Sequence, residues 1–172
     1  MPYQYNYKKL AEFGRKLLNE TSYSSGLPQI SEYAKEIIGA NRCSIFINDL
    51  RTDELWTTIA DGMQKIIIPA DSGVVGRTIS ERKPLIVNEP YKDPDFLTQI
   101  DQESGFMTKN LITAPIFNSK RKIIGVLELL NKEGGFNNED ARFMIFFSHF
   151  ISGFLELVEL YQLDKMSKNE KI

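Results

Sequence analysis

One segment, from about Asn138 to Lys165, limits what this chain can fold into more than any other. Phe143, Phe147, Phe150, Phe154, Leu157 and Tyr161 recur at alternating spacings of four and three, a coiled-coil-like seam. Met144, Ile151, Leu155 and Val158 form a second apolar set on the same helix. A helix that is apolar on two sides must be buried on two sides. One set therefore seats on a layer of the chain's own core, and the other needs a further cover. With Asn137 or Asn138 as its cap, the helix is roughly 40 Å long at 1.5 Å per residue.

The remaining sequence supplies the layers. Tyr3, Tyr7, Leu10, Phe13 and Leu17 lie on one helical face and predict an N-terminal helix able to give part of that cover, from its own chain or from a partner. Asn19 to Gly26 reads as a polar break, followed by a helix from about Leu27 to Ile38 stopped by Gly39. The period then falls to two. Strands are predicted at Arg42–Asn48, Glu54–Ala60, Lys65–Ile68, Leu85–Val87, Asn110–Phe117 and Lys122–Leu130. Asp71 or Ser72 caps a short helix reaching Glu81, and Asp93-Pro94 opens another over about Asp95 to Gln102. Asn118 to Arg121 is a hairpin turn, so strands are antiparallel and the fold class is α+β. The organisation is an N-terminal helix and linker at 1–26, one domain at 27–165 and a polar tail at 166–172.

Composition excludes several functions. The net charge of −2 and pI of about 5.6 argue against a nucleic-acid partner or an anionic membrane surface. The longest unbroken apolar run, Phe143 to Phe147, is far short of the roughly 20 residues of a membrane span. The start of the chain is polar and aromatic, and a soluble cytoplasmic protein is expected. The single Cys43 cannot form an internal disulfide, and the single His149 cannot anchor a His/Cys metal site. His149 lies in an apolar helix and Cys43 in a strand, where packing roles outweigh catalytic ones. Carboxylates stand at no spacing that demands acid–base work. No enzyme is expected.

Two features could carry a ligand. Gly73-Val74-Val75-Gly76 opens a helix and offers backbone N–H groups to an anion, but lacks the Gly-Lys-Ser/Thr of a P-loop. A capped turn that needs glycine would look the same. Glu128 alternates with Val126 and Leu130 on one face of an apolar strand, which places it in a pocket or in solvent.

Residues from about Gln29 to Glu159 resemble a GAF domain, most nearly its cyclic-nucleotide-binding subgroup. The matching segments are Arg42–Phe46, Ile68–Gly76, Ser104–Asn110 and Ile124–Lys132. The last runs into Phe136 and Asp140, similar to the subgroup's Asn-Lys, phenylalanine, Asp-Glu signature, with Ala141 in place of the final glutamate. The resemblance implies a central antiparallel sheet of about six strands, with the long helices on one face and the short helices and Asn88–Lys109 over a pocket on the other. It implies ligand contacts at Ser44, Asp61, Val74, Val75, Asp101, Ser104, Thr108 and Glu128. Asn131, Lys132, Phe136 and Asp140 form the bracing motif. The aromatic that stacks on purine in some members aligns near Ala60, and a pocket tyrosine with Leu97. Two readings follow. One is a small-molecule sensor of a bacterial-type signalling protein, its ligand cyclic AMP or cyclic GMP, acting as a homodimer through the first and last helices. The other is a ligand-free dimerisation module.

Overall fold

The computed structural model describes residues 7–57 and 66–169. Two helices come first, α1 (Tyr7–Leu18) and α2 (Tyr23–Ile38), followed by strands β1 (Ala40–Asp49), β2 (Glu54–Thr57) and β3 (Ile66–Pro69). Then come α3 (Gly73–Glu81), β4 (Leu85–Val87), a single 3₁₀ turn at Pro90–Lys92, and α4 (Thr98–Ser104). The hairpin β5 (Leu111–Phe117) and β6 (Ile123–Lys132) leads into α5 (Asn138–Asn169). The six strands form one antiparallel sheet in the order β3-β2-β1-β6-β5-β4. The α+β arrangement read from the sequence is the one observed.

The sheet is buried on both faces. Cys43, Ile45, Leu127, Leu129, Ile112 and Ala114 face α2 and α5 and meet Leu27, Ile30, Phe143, Phe147 and Ile151 in the main core. Burying a side chain of this size contributes about 1.5–3 kcal/mol. On the other face, Phe46 and Val126 pack against Val75 of α3, and Leu111 packs against Val74. By length and composition α5 could cross a membrane, but Phe143, Met144, Phe147, Ile151 and Leu155 are core residues against the sheet. The cover for its second side comes partly from α1. Phe13 stacks on Tyr33 of α2 at 4.5 Å and lies 5.8 Å from Phe147 and 6.0 Å from Phe150.

Several boundaries differ from the sequence reading. The polar break is shorter than Asn19 to Gly26, because the hydroxyl run starts a helix instead of a loop: Ser22 caps α2 by accepting from the Ser25 N–H. The boundary drawn between residues 26 and 27 thus falls inside α2. Gly26 is required there by packing, since a Cβ would lie 2.1 Å from the Phe154 ring. The second short helix starts at Thr98, not Asp95. Asp93 folds back to accept from the Asp95 N–H and pairs with Arg77, which holds 93–97 out of the helix. At the far end α5 continues through Asn169, into the segment expected to be a polar tail. The part of the second strand expected at Thr58 to Ala60 lies outside the described residues.

The corner between β6 and α5 is a tight polar cluster. Asn137 accepts from the amides of Glu139 and Asp140, and Asp140 accepts in return from the Asn137 amide, a reciprocal cap. The other Asp140 oxygen takes the Lys132 ammonium at 2.6 Å. Burial works against both charges, raising the Asp140 carboxyl and lowering the Lys132 ammonium toward neutrality. The contact and the cap oppose it. Asn131 takes a left-handed turn at φ 58°. Its side chain accepts from Lys109 N and donates to the Met107 carbonyl. Asn110 brackets the Lys132 backbone, and Asn88 brackets that of Phe136, both with donor and acceptor.

Asp140→Ala removes the cap acceptor and the carboxylate contact of a largely buried ammonium. Losing one partner of a buried pair costs about 3–5 kcal/mol, so the thermal midpoint followed by circular dichroism should fall by on the order of 10 °C. A midpoint unchanged within error would show that the corner does not depend on the pair.

Candidate functional site

Between the second face of the sheet and the two short helices lies a chamber of about 60 Å³. Its floor is Phe46, Glu128, Leu130 and Leu111 from three adjacent strands, with Ile68 at one side. Its wall is Gly73, Val74 and Val75 at the start of α3, and its roof is Phe96, Leu97, Ile100 and Asp101. Pockets that enclose drug-sized ligands are about 300–1,000 Å³, so this chamber is closed down to a few water molecules.

The glycines of the Gly-Val-Val-Gly segment are explained by contacts. Gly73 enters α3 at φ 72°, with Leu97 3.1 Å from where a Cβ would stand. A Cβ on Gly76 would lie 2.4 Å from the Asp71 carbonyl carbon. Ser72 occupies the cap position, but its side chain makes no capping bond, so the helix start is not closed by its own hydroxyl as the sequence implied. Val74 and Val75, in the first turn of α3, therefore line the chamber beside a helix start that has no capping side chain.

Facing them is a polar band set by strand register. Ser44, Glu128 and Thr113 stand opposite one another on β1, β6 and β5. Thr113 shares a 2.6 Å hydrogen bond with Thr78, whose hydroxyl bonds the Val74 carbonyl at 2.8 Å. The band thus runs from the middle of the sheet into the first turn of α3. Thr78 and Thr113 were not among the residues singled out from sequence. Their signal was the alternation of Leu111, Thr113 and Pro115 along β5, legible only once the pairing with Glu128 is known. Burial first, and then the charge of Asp101, pushes Glu128 from the ordinary 4.5 up to about 7. Among the described residues, no side chain or amide hydrogen-bonds to its carboxyl group.

Three of the other expected ligand contacts have internal partners. Asp101 accepts from the Thr108 amide at 2.6 Å, the Thr108 hydroxyl at 2.7 Å and the Tyr91 hydroxyl at 2.7 Å. This clamp ties α4 to the lead into β5. Ser104 closes α4, donating to the Asp101 carbonyl and accepting from the Phe106 amide, and it is not a lining residue. Asp61 lies outside the described residues. Arg77 makes a forked pair with Asp93 at 2.8 and 3.1 Å and a third bond to Asp95 at 2.6 Å. That anchor, also unforeseen, holds Phe96 and Leu97 over the chamber. Cys43 sits in the core on the opposite face of the sheet, and His149 is on the surface beside Phe117. Neither reaches the chamber. No cluster of His, Cys, Asp or Glu able to hold a metal occurs among the described residues.

Comparison with known proteins agrees with this fold. The sequence profile of the GAF domain matches residues 25–155. A probable 3′,5′-cyclic phosphodiesterase of Caenorhabditis elegans is 23% identical over 94% of the chain, which spans only 24% of that relative's length. Among solved structures, the GAF domain of a phosphoenolpyruvate-protein phosphotransferase from Coxiella burnetii superposes with a TM-score of 0.79 at 16% identity, covering 91% of this chain and 96% of that one. The free methionine-R-sulfoxide reductase of Neisseria meningitidis, solved with its substrate, superposes with a TM-score of 0.73 at 21% identity, covering 88% of each chain.

The raised Glu128 makes stability depend on pH. The folded chain keeps a proton there that the unfolded chain has lost, between pH about 4.5 and about 7. The resulting stability is fully present below that window and is lost as pH rises through about 7. Glu128→Gln should flatten the fall and be the more stable protein at alkaline pH, as read from urea denaturation on both sides of neutrality. Parallel pH profiles for variant and wild type would place the ionisation elsewhere.

Proposed function

The chain belongs to the GAF domain family, and we propose that it is a regulatory sensor that binds a small anionic molecule, with cyclic AMP and cyclic GMP the first candidates. The observation that carries this reading is the half-buried Glu128 carboxyl, which has no hydrogen-bond partner among the described residues and stands in a largely apolar chamber across from the first turn of α3. A cyclic phosphate suits the amides of Val74 and Val75. A ring N–H or hydroxyl suits Glu128, which accepts when ionised and can donate when protonated. The relative named as a probable cyclic phosphodiesterase supports the same ligand class.

The chamber is smaller than a nucleotide, so binding requires the segment around Phe96, Leu97 and α4 to move off α3. The Arg77 anchor and the Asp101 clamp are the contacts such a movement strains. Ligand occupancy is thereby linked to the position of one short segment, which is what a regulatory module within a longer cytoplasmic signalling protein needs. Cys43, the one thiol, faces the other side of the sheet from the chamber, which supports a binding role over thiol chemistry there.

A second reading, a ligand-free structural module, is favoured by the fully satisfied Asp101–Thr108–Tyr91 cluster. Thermal shift and calorimetry separate the two. A ligand at 100 times its dissociation constant should add about 2.7 kcal/mol of stability. Glu128→Ala should weaken the cyclic nucleotide that binds by about tenfold or more while leaving the circular dichroism spectrum unchanged. If neither cyclic AMP nor cyclic GMP moves the wild-type midpoint, the cyclic-nucleotide reading fails.

A further inference from the structure

We propose that the cleft bounded by α5, the start of α2 and the β1–β2 hairpin is a second ligand site, built for an organic cation with an apolar body. It holds about 300 Å³, at the lower end of ligand pockets, against about 60 Å³ for the chamber. Ile47, Trp56 and Ile124 belong to the core on the α2 and α5 face of the sheet and form its floor. The cleft therefore opens on the side of the sheet away from Glu128, and the inference is independent of what the chamber binds.

Three observations point to that chemistry. The first is aromatic. The Trp56 and Tyr23 rings meet edge to face at 5.8 Å, and the Tyr23 hydroxyl donates to the Leu155 carbonyl at 3.2 Å, which holds the pair in place. Aromatic faces fixed in this way attract ammonium groups. The second is charge. Glu159 reaches the cleft from α5 and makes no hydrogen bond or ion pair among the described residues. The Tyr23 phenol is raised by burial and then by the Glu159 charge, so the carboxylate stands near the ring pair. Arg51, the cation on the rim, is engaged elsewhere: its guanidinium donates to both Asp49 oxygens at 3.1 Å, and Glu159 acts on it only beyond ion-pair distance. The third is exposed apolar surface. Leu50 and Leu163 both border the cleft and are each 48% exposed, so a ligand that covers them removes apolar surface from water. An anion would meet Glu159 and Asp49, and a metal ion or a polyamine would leave the leucines wet. An occupant of the stated kind bridges α5 to the hairpin and to β2, and so braces the long helix against one half of the sheet.

The chain holds a single tryptophan, Trp56, so its intrinsic tryptophan fluorescence reports on this cleft directly. Benzyltrimethylammonium chloride, titrated into the full chain at constant ionic strength, should change that fluorescence saturably in the millimolar range or below. Benzyl alcohol, which keeps the ring and lacks the charge, should bind at least about tenfold more weakly. Glu159→Gln changes a half-exposed position and should keep the circular dichroism spectrum while losing about tenfold in affinity for the cation. Leu163→Ala should weaken both probes by a few fold, because it removes apolar cover and no charge. A wild-type titration without saturation overturns the proposal. Equal affinity for the charged and the neutral probe overturns it without recourse to any variant, and so does a Glu159→Gln protein that binds the cation as tightly as wild type.

Discussion

The ion pair between Lys132 and Asp140 fixes the place where the central strand ends and the long helix begins. β6 has neighbours on both edges and is covered on both faces, so any error in where it stops would move two layers at once. The pair sits at that stop, and the reciprocal cap with Asn137 makes the same carboxylate set the first turn of α5. Three asparagines extend the corner outward. Asn131 reaches the lead into β5, Asn110 holds the β6 backbone, and Asn88 joins the end of β4 to Phe136. Each makes paired donor and acceptor contacts that a carboxylate could not make. The seat of α5 on one face and the entry to the chamber on the other thus share one polar junction.

The chamber behind that junction separates two kinds of polar residue. Asp101, Thr108, Ser104 and Tyr91 satisfy one another, and Thr78 and Thr113 do the same with the α3 backbone. These contacts lower the cost of burial and fix loops. Glu128 is different, because its strand register sets it beside Ser44 and Thr113 without giving its carboxyl a bond. A half-buried carboxyl group with no partner among the described residues is held near neutral pKa by desolvation, which makes it a group able to answer a ligand.

Much of this was legible in the sequence because it follows from period and punctuation. The six strands, the helix opened by Gly73 and the long final helix all follow from spacing and caps. What was missed depended on partners far away in the chain. Gly26 looked like linker because the reason for it, the Phe154 ring, lies more than a hundred residues on. Asp93 looked like a helix cap because Arg77, which claims it, belongs to a different element. Thr113 had no distinguishing mark until its pairing with Glu128 and its contact with Thr78 were known. Local rules identified elements, and long-range contacts decided which polar side chains were spoken for.

Pro115 has a consequence of another kind. β4 pairs only with Leu111 to Thr113, so the second half of β5 runs on past the last strand of the sheet. An open edge of this sort is a template on which a foreign strand can add, and repeated addition is how sheets grow into aggregates. Proline lacks the amide hydrogen that a ladder uses at every second residue. Placed at the centre of the stretch that β4 leaves unpaired, it leaves an incoming strand one donor short where it would first register. The sheet is thereby kept finite along that edge by a single buried residue.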